Sequence, residues 1–159
     1  MLMSTLARTR HRRRRLLAAV LLTAALTPVG VLAAAPADAA TLGQQAVSEA
    51  SRHRGQPYVY GAVGPNRFDC SGFTLYVYGR LGKRLPHNSA QQYSSSAVWH
   101  VSKSSKAVGD LLFMKNSSGR ITHVGIYTGS DRWWVATSSG SDVKLQTLYS
   151  SNYVVARLR

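Results

Sequence analysis

The chain has 159 residues, 20 Lys and Arg against six Asp and Glu, a formal charge of +14, and one cysteine. This length allows a small domain with one core and leaves no room for separate modules. One cysteine excludes an internal disulfide scaffold, and five scattered histidines without a short-spaced pair do not match a zinc site, so neither metal nor cofactor is expected.

Residues 1–39 read as a secretory leader. Arg8, Arg10 and Arg12-Arg13-Arg14-Arg15 form a positive n-region, Leu16 to Ala34 is apolar, and Ala37-Asp38-Ala39 offers a cleavage site before Ala40. The apolar stretch approaches the ~20 residues of a membrane span, but Pro28, Gly30 and the small-residue site favour cleavage over a stable anchor. The consecutive arginines leave Sec and twin-arginine export both open. The remaining 120 residues, 40–159, read as one domain with 14 basic and five acidic residues, a charge of +9. Nucleic acid is the usual partner of such a balance. An exported chain instead meets anionic cell-wall polymers, and the basic residues are scattered, so the expectation is a secreted or wall-associated monomer with no nucleic-acid partner.

Thr41 caps a first helix predicted to run to about His53, with Ala46, Val47 and Ala50 at helical spacing. Residues 56–67 are rich in turn formers around an extended Tyr58-Val59-Tyr60. Asp69 caps a second helix from Cys70 to about Leu81, with Phe73, Val77 and Leu81 on one stripe. Ser89 is the expected cap of a short helix through Tyr93, and Ser94 to Ser105 reads as loop. Five strands follow: Leu111 to Met114, His123 to Thr128, Trp133 to Thr137, Val143 to Leu148 and Tyr153 to Leu158. Helices first and strands after indicate α+β with a largely antiparallel sheet of five or six strands.

An unpaired cysteine in an exported chain is either a buried small hydrophobe or a reactive thiol. Cys70 falls in the first turn of the second helix, where outward N–H groups and the helix dipole favour thiolate and could hold an oxyanion. Gly72 leaves room for a substrate backbone near the thiol. Asp69 opposes thiolate by charge, so binding is its more natural use. Of the histidines, His123 opens the most sheet-like run and is the candidate base, against the alternative of a structural strand residue.

Pro57-Tyr58-Val59-Tyr60-Gly61, Asp69-Cys70-Ser71-Gly72-Phe73, Leu85-Pro86-His87-Asn88-Ser89-Ala90-Gln91-Gln92, Gly109-Asp110-Leu111-Leu112-Phe113 and His123-Val124-Gly125-Ile126-Tyr127 stand in the order and spacing of the NlpC-type cell-wall cysteine peptidases. Over residues 43–159 the chain resembles that family. The resemblance implies a papain-like α+β domain that hydrolyses peptidoglycan stem peptides, usually between D-glutamate and the following diamino acid. It makes Cys70 the nucleophile and His123 the base, and it matches Tyr58, Asp69 and Ser71 to positions that bind the substrate's N-terminal end or shape the site. Tyr58 as core aromatic, and Asp69 and Ser71 as helix caps, are the alternatives. The family's third polar residue, which orients the imidazole, aligns with Val135, which accepts no hydrogen bond. A backbone carbonyl, a water or Thr137 is the expected replacement. Tyr60 for a common Trp and Ala62 for a common Gly are smaller departures. Two other functions fit: a weakly active or inactive wall-binding domain of this fold, and a Cys–His amidase or acyltransferase.

Overall fold

The computed structural model describes residues 40–159; the leader and cleavage site read at 1–39 lie outside them. Three helices, α1 (Leu42–Ser51), α2 (Cys70–Arg80) and α3 (Ser89–Ser94), precede six strands. The strands are β1 (Val98–Val101), β2 (Leu111–Lys115), β3 (Ile121–Gly129), β4 (Arg132–Ala136), β5 (Val143–Thr147) and β6 (Tyr153–Leu158), with a short 3₁₀ turn at Lys103–Ser105. The α+β expectation holds.

Local chemistry sets the helix starts. Thr41 and Gln44 form a reciprocal capping box on α1. The Asp69 carboxylate accepts the Gly72 N–H at the start of α2. α3 is capped by Asn88, whose Oδ1 accepts the Gln91 N–H, rather than by the predicted Ser89, which is its first helical residue. β1 corrects the reading of residues 94–105 as loop. Four residues between Ser-rich segments, two of them exposed, hide the strand, which pairs only with β6, from Val98↔Leu158 to Val101↔Val155.

The sheet is antiparallel throughout, in the order β1-β6-β2-β3-β4-β5. Its helix-covered face buries Phe68, Phe73, Val77, Leu111, Phe113, Val124, Ile126 and Trp134. The other face buries Leu112, Met114, Tyr127, Trp133, Val135, Tyr153 and Val155. Strand alternation predicts this division, since neighbouring residues point to opposite faces.

One irregularity positions the site. Met114 pairs with His123 but Lys115 pairs with Ile121, so Thr122 is an extra residue in β3. Such a bulge resets the alternation. Ile121 packs against the helix-side core with Val124 and Ile126, while His123 takes the opposite phase, that of Gly125 and Tyr127.

Candidate functional site

Cys70 and His123 meet across a cleft of about 530 Å³ at the end of the sheet where β3 begins and β4 ends. Tyr58, Tyr60, Asp69, Ser71, His87 and Thr137 share its wall. Every predicted site residue except Val135 lines this cleft. Val135 is fully buried on the second sheet face.

The turn-rich segment before α2 is locked onto the helix start. Val59 N–H donates to the Phe68 carbonyl, and Asp69 N–H donates to the Ala62 carbonyl. A Cβ on Gly72 would overlap that same Ala62 oxygen. This corrects the reading of Gly72 as clearance for substrate: the space is filled by the chain's own backbone. Gln92 is the second lock. Its buried amide donates to the carbonyls of Ser71 and Pro86, and it accepts from the Thr74 hydroxyl.

Asp69 is the hub of the cleft. Oδ1 accepts from Gly72 N–H at 2.7 Å and the Ser71 hydroxyl at 3.1 Å. Oδ2 accepts from Gly61 N–H at 2.9 Å and from His87 Nε2 at 2.8 Å. A carboxylate has about four acceptor positions, and all are used. His87 was not singled out from sequence; its place in Leu85-Pro86-His87-Asn88-Ser89 is the only signal of it.

Burial pushes the Cys70 thiol up, and the Asp69 carboxylate adds to that push. The backbone N–H groups of Val124, Ser71 and Cys70 favour thiolate but do not overcome it. The helix-start reading found the stabilising donors and missed the opposing burial. Burial likewise drives His123 down to about 4, against the opposite pull of Asp69. Both shifts favour the uncharged forms, thiol and neutral imidazole, over thiolate and imidazolium.

Among the described residues no side chain hydrogen-bonds to the imidazole in place of the polar group absent at Val135. His123 Nε2 is buried without a hydrogen-bond partner among the described residues. Ile126 pairs with Trp134 and Tyr127 with Trp133. Continuing that register sets Gly125 opposite Val135 and His123 opposite Thr137. The Thr137 hydroxyl, however, is bonded to Ser141 Oγ. What does touch the imidazole is Trp133, edge to face at 5.6 Å between ring centroids. Trp133 in turn packs against Tyr149, an exposed residue whose ionisation is pushed up by burial and by Cys70.

Two further described histidines, His53 and His100, do not line the cleft. His53 is buried against Phe68, Phe73 and Tyr76, and His100 stacks on Tyr93. Among the described residues, no three His, Cys, Asp or Glu side chains converge as a ligand set. No described helix is long and apolar enough to cross a membrane.

The profile of the NlpC/P60 family matches residues 55–158. The protein named "Probable endopeptidase p60" from Listeria grayi is 46% identical over 96 residues, which are 60% of this chain and 18% of that protein. The "Bifunctional muramidase/DL-endopeptidase CwlT" of Bacillus subtilis strain 168 is 36% identical over 104 residues, 62% of this chain and 31% of that protein. The crystal structure of the NlpC/p60 domain of peptidoglycan hydrolase SagA superposes with a TM-score of 0.63 at 36% identity, covering 72% of this chain and 96% of that one. The matched region spans about a fifth of the length of the Listeria relatives.

Proposed function

The chain belongs to the NlpC/P60 family, and on that footing we propose that it is a secreted cysteine endopeptidase of peptidoglycan stem peptides. The bond cut is that between D-glutamate and the following diamino acid. The observation that carries the reading is the meeting of the α2 thiol and the β3 imidazole in one cleft, with three backbone N–H groups at the sulfur.

The mechanism starts from the neutral pair. His123 Nε2 is buried, which leaves Nδ1 for the cleft. Nδ1 takes the Cys70 proton as Sγ adds to the substrate carbonyl carbon, so thiolate is generated only as it is consumed. Backbone N–H groups at the α2 start stabilise the oxyanion. The imidazolium then gives its proton to the leaving amine as the C–N bond breaks, leaving a thioester on Cys70. Water, deprotonated by His123, hydrolyses that thioester to the carboxylic acid and restores the thiol. Tyr58 and Ser71 contact the substrate. Asp69 does so only where a substrate donor displaces His87 or the Ser71 hydroxyl, because its acceptor positions are filled.

Cell-wall localisation rests on the leader and on the surplus of basic residues, which attracts anionic wall polymers. The test is release of fragments from purified peptidoglycan or a stem tetrapeptide by residues 40–159, with Cys70→Ala beside it. The expected outcome is loss of turnover by roughly a thousandfold or more in the variant, as for removal of a nucleophile. Equal product from both proteins rejects the peptidase. A second reading, a wall-binding domain of low turnover, is favoured by the unpartnered Nε2. Undiminished binding to peptidoglycan by a wild type that releases nothing would establish it. Mass spectrometry of the fragments separates peptide-bond cleavage from amidase or transferase products.

A further inference from the structure

Trp133 is fully buried, and its position is dictated by the absence of a side chain at Gly125. A Cβ there would lie 2.6 Å from Cε3 and 3.0 Å from Cζ3 of the indole. The ring lies across β3 at this gap and ends against the imidazole of His123, with planes at 81°. Trp133 Nε1 and His123 Nε2 are both buried, and neither has a partner among the described residues. Buried polar groups are satisfied in nearly all folded proteins, by enclosed water where no protein atom serves.

Donor chemistry restricts how this pair is satisfied. The indole N–H only donates. A direct bond from it to Nε2 would require a bare Nε2, placing the imidazole proton on Nδ1 and removing the base from the cleft. No such bond is present. One water within hydrogen-bond reach of both nitrogens, accepting from Trp133 Nε1–H and His123 Nε2–H, would satisfy both groups and leave the Nδ1 lone pair free.

We propose that Trp133 is the positioning residue of His123, replacing the polar side chain absent at Val135: its ring fixes the imidazole plane through the Gly125 gap, and its N–H shares one enclosed water with Nε2–H. The inference rests on the endopeptidase reading for its kinetic consequence and not for its tautomeric one.

The test compares Trp133→Phe, Val135→Asn and the double variant, reading kcat and KM on a stem peptide and the His123 tautomer by ¹⁵N NMR. Trp133→Phe keeps an aromatic ring and loses the donor. Its kcat is expected to fall on the order of tenfold to a hundredfold, the scale for a misplaced reacting group, with KM unchanged. The Nε2–H tautomer gives way to a mixture. Val135→Asn supplies an acceptor on the same strand face. It restores kcat and the single tautomer in the double variant, and alone changes kcat by less than about twofold, because the ring is already held. Wild-type kcat and tautomer in Trp133→Phe would overturn the proposal. So would a large gain from Val135→Asn alone, a result that is read even where Trp133→Phe does not fold. If the wild type has no peptidase activity, the tautomer still decides: a bare Nε2 in the wild-type resting state defeats the proposal, and an Nε2–H that becomes mixed in Trp133→Phe upholds it.

Discussion

In the unfolded chain His123 takes a proton near its ordinary pH of 6.5, but the folded protein delays this to about 4. Between those values the unfolded state binds more protons than the folded one. Stability is thus full above 6.5 and is lost progressively as pH falls to 4, by about 3 kcal/mol in all. Urea midpoints measured from pH 7 to pH 4 are expected to fall accordingly, and His123→Gln is expected to flatten that slope whatever it does to the absolute midpoint. An equal slope in both proteins would show that another group is responsible. Cys70 and His123 as cleft residues were legible because the lone cysteine and the His-led strand are local signals. Their protonation was not, since it depends on burial by segments distant in sequence. Trp133 was hidden for a related reason: its contact with His123 crosses from β4 to β3 and depends on a missing side chain at Gly125.

At the scale of elements, α2 depends on a cap that also acts on the Cys70 thiol. Asp69 holds Gly72, Ser71, Gly61 and His87 together, while its charge raises the Cys70 thiol. Asp69→Asn keeps an acceptor oxygen and removes the charge. The variant is expected to lose about 1–2 kcal/mol, the scale of a lost cap and weakened charge-assisted bonds. Its thiol pKa falls, so iodoacetamide labels Cys70 faster at pH 7.5 than in the wild type. Slower labelling would mean that the helix start has frayed and the N–H donors have been lost. The helices and five strands were legible from caps and alternation. β1 was not, because its Trp99 and His100 are exposed and its partner β6 lies more than fifty residues on. The Thr122 bulge was equally invisible: no residue type marks it, and it exists only relative to β2.

For the whole molecule, the distribution of charge matters more than its sum. Three of the five acids in residues 40–159, Glu49, Asp69 and Asp110, are buried and committed to internal partners. Only Asp131, paired with Lys106, and Asp142 remain on the surface, against 14 Lys and Arg of which none is buried. Binding to anionic polymer-bearing walls is therefore expected to be strong at low salt and nearly abolished at about 0.5 M, where screening acts within a few ångströms. Co-sedimentation across a salt series checks this; binding indifferent to salt would assign retention to the cleft instead. The place of β6 has a consequence in time. Because β6 lies between β1 and β2, β1 joins the sheet only through the last strand of the chain. Helices and the β2–β5 meander form from near neighbours, but the sheet closes only by a long-range pairing, which is slow. A chain synthesised from its N-terminus therefore completes its fold only once residues 153–158 emerge, in one late step.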